Sequence, residues 1–159
     1  MSANLGGLQT GHKVVIDSKS QTLKLVRDDA VLFEASVSTS RYGLGFEHGS
    51  HKTPIGKFRV CEKIGANQPA GTVFKGRRPV PEPVDRSLEH DLITSRILWL
   101  DGIESRNAQT KERYIYIHGT NHEASIGQPA SAGCIRMRDT DVIQLFDMIE
   151  AGTLVEILA

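Results

Sequence analysis

The chain has 159 residues, 39% of them hydrophobic, which suits one domain with a sizeable core and is short for two. Nineteen basic residues balance nineteen acidic ones, so the composition argues against binding to nucleic acid or to an anionic membrane. No apolar window reaches the length of a transmembrane helix, which argues against membrane insertion.

Cysteine content and the N-terminus predict a location. Cys61 and Cys134 are too few for a disulfide framework and favour a compartment in which thiols stay reduced. Residues 1–10 lack the basic start and the apolar run of a secretory signal, which predicts a cytoplasmic protein. A chain whose signal had been removed would look the same, and its location would then be the periplasm. We expect a single domain over residues 1–159 with its core at about 12–158.

Short runs of β-branched and apolar residues, separated by turn residues, predict a mainly β protein. Arg27-Asp-Asp-Ala30 is expected to form a hairpin turn. In the strand that begins after Gly56, alternation places Cys61 on the more polar face, where it is expected to be a minor packing thiol. The strands are predicted over residues 13–17, 22–26, 31–37, 57–63, 92–100, 114–117 and 154–158.

Two stretches lack strand character. Residues 40–54 are rich in Gly, Ser and His and are expected to form a mobile surface loop. Residues 65–91 contain four prolines among glycines and charged residues, which predicts a long irregular excursion. Its length fits a lid or groove wall, and a disordered insertion is the alternative.

One helix is predicted after the second cysteine. Asp139 or Thr140 can cap its first turn, and Gly152 can end it. The apolar stripe that should pack on the sheet consists of Val142, Leu145, Phe146 and Ile149.

The chemistry-bearing pair is a histidine and a cysteine. His118 follows the strand predicted over 114–117, where it is expected to mark the strand end, and Cys134 follows Gly133. A free thiol is mostly protonated at neutral pH, so acyl transfer needs a nearby imidazole to take its proton. Taken alone, the cysteine can be a packed apolar residue and the histidine can satisfy a carbonyl. Their partnership favours a nucleophile and its base.

A metal site is the alternative for these histidines. His118 and His122 are four residues apart, a spacing that suits zinc when both lie on one helical face. The preceding strand and Gly119 argue against a helix there, so we expect neither a metal nor another cofactor. The candidate ligands for such a site are His48, His51, His118, His122 and Cys134.

Three segments resemble the L,D-transpeptidase catalytic domain, also called the YkuD domain: Thr53-Pro-Ile-Gly-Lys-Phe58, His118-Gly-Thr120 and Ser131-Ala-Gly-Cys-Ile-Arg-Met137. The order of these segments and the spacing between histidine and cysteine carry the resemblance. It implies a β-sandwich-like fold with a groove and one helix after the cysteine. It also implies attack on peptidoglycan stem peptides, at the bond before the terminal D-alanine.

The resemblance assigns roles position by position. Cys134 matches the nucleophile, His118 the base, and the Gly119 carbonyl the group that orients the imidazole. The amides of Gly133 and Cys134 match the oxyanion-binding segment, and Arg136 can meet a substrate carboxylate. The family usually has a histidine where this chain has Ala132, which bears on local polarity and acceptor choice. The residues expected to contact substrate are Arg136, Ser131, Ala132, Thr120, His51 and Tyr116.

The expected partner is a peptidoglycan tetrapeptide or muropeptide, and the oligomeric state is left open. A thioester formed at the cysteine can meet water, giving an L,D-carboxypeptidase, or the amine of another stem, giving a cross-link. Hydrolysis to the tripeptide in peptidoglycan recycling is favoured, because cross-linking requires a location outside the membrane. The alternatives are an L,D-transpeptidase of the cell wall and a non-catalytic module that binds peptidoglycan fragments.

Overall fold

The computed structural model describes residues 11–159, which contain ten strands, one α-helix and two short 3₁₀-helices. The strands predicted from the sequence are present, and the fold is mainly β as expected. The elements in chain order are β1 (His12–Asp17), β2 (Thr22–Arg27), β3 (Ala30–Ser36), β4 (Gly56–Ile64), β5 (Val73–Lys75), β6 (Arg78–Pro79), β7 (Ile93–Gly102), β8 (Tyr116–Thr120), β9 (Ile135–Met137), α1 (Asp139–Met148) and β10 (Leu154–Leu158).

The strands form one hydrogen-bonded sheet with the order β3-β2-β1-β10-β4-β7-β5-β6, and β8 connects β7 to β9. The closing strand β10 lies at the centre, parallel to β1 and antiparallel to β4. Buried side chains from strands along the sheet and from α1 pack in one core, which includes Leu23 of β2, Phe58 of β4, Leu98 of β7 and Leu145 of α1. This shared core is the packing that a β-sandwich-like fold requires.

Strand β4 shows the predicted alternation, with Phe58 and Val60 buried and Arg59 exposed. Its register against β7 shifts between Val60 and Glu62, so Cys61 lies at a bulge. The Cys61 side chain is half-buried, which agrees with the packing role expected for it.

Helix α1 buries Val142, Leu145 and Phe146 as predicted. The expected cap by Asp139 or Thr140 is wrong, because the N-cap residue is Arg138 and its side chain makes no capping hydrogen bond. The first amide of the helix, Asp139 N–H, instead donates to the Glu123 carboxylate at 2.7 Å.

The prediction that residues 65–91 form no regular element is wrong in part. Strands β5 and β6 form a short hairpin, and both turn residues, Gly76 and Arg77, have positive φ. This backbone matches the twist of two-residue hairpins. Pro79 is tolerated because β6 is an edge strand of the sheet.

The prediction that His118 ends a strand is also wrong. His118 is the central residue of β8, and Gly119 and Thr120 continue the pairing with Thr94 and Ile93 of β7. On its other edge β8 pairs in parallel with β9. Strand β8 continues past Gly119 because β7 and β9 pair with its backbone on both edges.

Candidate active site

Parallel pairing of β8 with β9 brings the histidine and the cysteine together. His118 is paired with Arg136, and Ile117 with Ile135, so Cys134 lies one position before the paired segment. Both side chains line one cavity of about 120 Å³. We call it the cysteine cavity, and its lining residues are Asp91, Ile93, His118, Ser131, Ala132, Cys134 and Arg136.

The Cys134 thiol is held by two backbone groups at the start of β8. Tyr116 N–H donates to Sγ at 3.3 Å, and the thiol donates to the Tyr114 carbonyl at 3.3 Å. Burial raises the pKa of Cys134 to about 11, against the opposing effect of the Tyr116 amide. The resting thiol is therefore protonated at neutral pH and needs a base to react.

His118 is a neutral imidazole with a defined tautomer. Its side chain is buried, with 3% of the residue exposed, and burial lowers its pKa. Nδ1 lies 2.5 Å from the Gly119 carbonyl. Because a carbonyl only accepts, Nδ1 carries the proton and Nε2 is left with a lone pair. This arrangement leaves His118 able to accept a proton.

Gly119 lies where no side chain fits. A Cβ atom built on it would approach Thr94 O to 2.5 Å and the Asp139 carboxylate to 2.6 Å. Asp139 is fixed there because it accepts hydrogen bonds from the hydroxyls of Thr94 and Ser95, at 2.5 and 2.6 Å. The glycine thus lets β7 approach closely while its carbonyl orients the imidazole.

A hydroxyl network fixes the turn before the cysteine. Gly133 has φ +124, which disfavours other residues, and its carbonyl accepts from Thr53 Oγ1 at 2.9 Å. Ser131 Oγ donates to the Cys134 carbonyl at 2.5 Å and accepts from Gly133 N–H at 3.2 Å. Since the Gly133 amide is directed at Ser131, the Cys134 amide is the better candidate for an oxyanion donor.

Arg136 is a buried cation with a matched charge. Its side chain is 4% exposed and lies 2.7 Å from the Asp91 carboxylate, which is 50% exposed. It also donates to the Ala130 carbonyl at 3.2 Å. Asp91 was not among the residues predicted for the site. Burial of an arginine calls for an anion nearby, but no local pattern indicates which of the acidic residues supplies it.

A second cavity of about 230 Å³ adjoins the first across Ala132, which lines both. We call it the Arg113 cavity. His51, which was expected to contact substrate, lines this cavity. Arg113 was not predicted, because no motif marks it. Its lining residues are His48, Gly49, His51, Arg113, Tyr114, Ile115 and Ala132.

A third and larger cavity of about 600 Å³ also adjoins the cysteine cavity. Asp91 and Ile93 line both it and the cysteine cavity. Most of its remaining lining comes from the excursion over residues 65–91, including the β5–β6 hairpin. The excursion therefore forms a groove wall beside the cysteine, one of the two roles considered for it.

Two of the residues expected to contact substrate point elsewhere. Thr120 is fully buried, and its hydroxyl accepts from His122 N–H at 3.0 Å. The ring of Tyr116 packs edge-on against Trp99 at 5.7 Å, and its hydroxyl accepts from Arg77 at 3.3 Å. Neither side chain lines the three cavities, so Tyr116 contributes only its backbone amide to the site.

The described part of the chain, residues 11–159, contains no cluster of three or more His, Cys, Asp or Glu side chains arranged to hold a metal ion. His122 instead lies with Nε2 2.9 Å from the His90 carbonyl. Within the same residues, no helix is long and apolar enough to cross a membrane.

Comparison with known proteins identifies the class of this fold and site. The family model of the L,D-transpeptidase catalytic domain (YkuD) matches residues 11–157. The chain therefore belongs to the L,D-transpeptidase catalytic domain family, as the motif resemblance predicted.

The names of individual relatives agree with this assignment. YqjB of Bacillus subtilis, whose name describes it as an L,D-transpeptidase, is 50% identical over 140 residues, which are 88% of this chain and 67% of YqjB. YkuD of the same organism is 56% identical over 41 residues, 26% of this chain and 25% of YkuD. A solved L,D-transpeptidase structure from Mycobacterium smegmatis superimposes with a TM-score of 0.63 at 19% identity, covering 94% of this chain and 59% of that one. The chain thus spans about three fifths of that solved structure, and at this identity the superposition speaks for the fold.

Proposed function

We propose that this domain is a cysteine-dependent acyl-transfer enzyme acting on the L,D bond before the terminal D-alanine of peptidoglycan stem tetrapeptides. The observation that carries the proposal is the shared cavity in which a protonated thiol and a neutral, tautomer-fixed imidazole lie together. Membership in the L,D-transpeptidase family supports the choice of substrate.

The first step forms a thioester. The Cys134 side chain turns about its Cα–Cβ bond, away from the Tyr114 carbonyl and toward the imidazole. Nε2 of His118 then takes the thiol proton, and the sulfur attacks the carbonyl carbon of the third stem residue. The Cys134 amide is placed to stabilise the oxyanion. When the tetrahedral intermediate collapses, the C–N bond breaks and His118 returns its proton to the departing amine. D-Alanine leaves and the tripeptide remains bound to sulfur.

The second step releases the acyl group. His118 takes a proton from the incoming nucleophile, which attacks the thioester, and the thiol is regenerated as the tetrahedral intermediate collapses. We propose water as the main nucleophile, which makes the protein an L,D-carboxypeptidase that yields tripeptides. The alternative is the amine of a second stem, giving a cross-link, and the names of the relatives favour it.

Product analysis tests this choice. The purified protein is incubated with a defined tetrapeptide stem, with and without an amine acceptor, and the products are identified by mass spectrometry. Hydrolysis predicts loss of one D-alanine from the lone stem. Joined stems without any tripeptide would reject hydrolysis in favour of cross-linking.

A non-catalytic binding module is the remaining alternative, because Ala132 replaces the family's usual histidine. A carbapenem, which acylates reactive thiols, separates the two. We expect an intact-mass increase that maps to Cys134 and is lost in Cys134→Ser. An unlabelled thiol in a protein that still binds stem fragments would support the binding module.

The cytoplasmic location is also proposed, and the two free cysteines, Cys61 and Cys134, support it. Cell fractionation tests it directly, because recovery of the protein in the periplasmic fraction would reject a role in cytoplasmic recycling.

A further inference from the structure

The two arginines near Cys134 differ in whether their charge is paired. Arg136 is paired with Asp91 at 2.7 Å and is almost fully buried. Its charge is therefore already matched before a substrate binds. Arg113 forms no ion pair with any side chain of residues 11–159. Its charge is therefore available to an anion.

Arg113 is also held in place. Its guanidinium donates to Lys52 O at 2.6 Å, to Gly45 O at 3.3 Å and to Ser50 Oγ at 3.4 Å, all in the loop before β4. These acceptors are neutral, so they orient the group without cancelling its charge. A half-buried and pre-oriented guanidinium suits a carboxylate, which it can bind through two hydrogen bonds.

The walls of the Arg113 cavity fit the same ligand. No carboxylate lines it, whereas two histidines, His48 and His51, do. The larger cavity, which shares Asp91 with the cysteine cavity, is lined by the carboxylates of Asp85, Glu89 and Asp91, and also by Lys75 and His90. The Arg113 cavity thus has a cation without a carboxylate, whereas the larger cavity has charges of both signs, so a substrate with an anionic end is favoured at the Arg113 cavity.

The Arg113 cavity lies next to the reacting sulfur. Tyr114, whose carbonyl accepts the Cys134 thiol, lines this cavity, and Ala132 separates it from the cysteine cavity. Arg113 and the Cys134 thiolate attract each other electrostatically. In a stem tetrapeptide the terminal carboxylate is one residue beyond the scissile carbonyl, roughly 3–4 Å of extended chain.

We infer that Arg113 binds the terminal carboxylate of the departing residue and so restricts the enzyme to peptides that end one residue after the scissile bond. This inference rests on the proposed function and assigns the carboxylate to Arg113 in place of Arg136. Arg113 is a specificity-determining residue, and its charge should act mainly on KM.

The test compares two substrates, a tetrapeptide stem with a free terminal carboxylate and the same stem ending in an amide. We expect the wild-type protein to prefer the acid by on the order of tenfold to a hundredfold in kcat/KM, the effect of one charge-assisted pair. In Arg113→Gln the preference should disappear through a higher KM for the acid, and Arg113→Lys should restore part of it. Arg27→Gln, which removes an exposed cation on β2, should keep the wild-type preference.

Equal handling of acid and amide by the wild-type protein would overturn the inference, and this comparison does not depend on the variants folding. A preference retained in folded Arg113→Gln would also overturn it. Absence of any Cys134-dependent D-alanine release would instead overturn the proposed function.

A second measurement needs no turnover. Alkylation of Cys134 by anionic iodoacetate and by neutral iodoacetamide is followed by peptide mapping, which separates Cys61. The ratio of the two rates should fall several-fold in Arg113→Gln and stay unchanged in Arg27→Gln. An unchanged ratio in folded Arg113→Gln would show that the guanidinium does not act on an anion beside the sulfur.

Discussion

Replacing Asp91 by Asn probes the ion pair at the mouth of the cysteine cavity. The substitution keeps the shape of the side chain and removes its charge. It leaves the guanidinium of Arg136 buried, with only the Ala130 carbonyl among the partners described above. Asp91 raises the pKa of both Cys134 and His118, although burial is the largest influence on each. The variant therefore tests stability and reactivity together.

The expected loss of stability follows from burial. Removing one partner of a fully buried pair costs about 3–5 kcal/mol, and exposed pairs contribute about 0–1 kcal/mol. Since Asp91 is half-exposed and Arg136 is not, we expect a loss of about 1–2 kcal/mol. For a domain of this size that lowers Tm by about 2–8 °C.

The expected change in reactivity follows from the sign of the charge. A carboxylate near the thiol disfavours the thiolate, so its removal should lower the pKa of Cys134 below about 11. The same carboxylate favours the imidazolium of His118, so its removal lowers that pKa further and keeps the base neutral at lower pH. Because of both changes, the alkylation rate of Cys134 should begin to increase at a lower pH than in the wild-type protein.

The assay combines a urea melt with the pH dependence of Cys134 alkylation by iodoacetamide. Asp29→Asn, in the exposed turn between β2 and β3, serves as the matched control and should change neither. An Asp91→Asn protein with wild-type stability and an unshifted pH profile would refute the reasoning that this ion pair sets the electrostatics of the site.

Three further substitutions test other parts of the account of His118 and Cys134. Gly119→Ala should lose about 3 kcal/mol in a denaturant melt, because its Cβ would meet the backbone oxygen of Thr94; wild-type stability would contradict the close approach described here. Ser131→Ala removes two hydrogen bonds that hold the turn before Cys134 and should cost about 1–3 kcal/mol together with a lower rate of carbapenem acylation; an unaffected acylation rate would show that the turn is held without Ser131. Cys61→Ser should leave the extent of carbapenem labelling unchanged, and a loss of label would show that the bulge thiol takes part in the reaction.

The predictable parts of this fold are those with local signals. The alternation in β4 and the apolar stripe of α1 could be predicted because in each element the apolar residues recur with the period of that element, two for a strand and 3.6 for a helix. The partnership of His118 with Cys134 could be predicted because both residues lie in recognisable motif segments. The strand containing His118 was cut short in the prediction because Gly119 resembles a strand end, and only its contacts with Thr94 and Asp139 show why a glycine continues there.

The unpredictable parts depend on contacts between distant segments. Asp91 and Arg136 are 45 positions apart in the sequence, and Arg113 is held by a loop more than 60 positions earlier. No periodicity marks such pairs. The β5–β6 hairpin was hidden because Pro79 normally argues against a strand, and its place at the sheet edge removes that objection.

The central claim is that the sulfur of Cys134 carries the acyl group during turnover. Rapid quenching of the reaction with a stem tetrapeptide, followed by intact-mass analysis and peptide mapping, tests it most directly. The account predicts a tripeptide adduct on the peptide that contains Cys134, formed as D-alanine is released and absent from Cys134→Ser. Release of D-alanine by Cys134→Ser at the wild-type rate would contradict it.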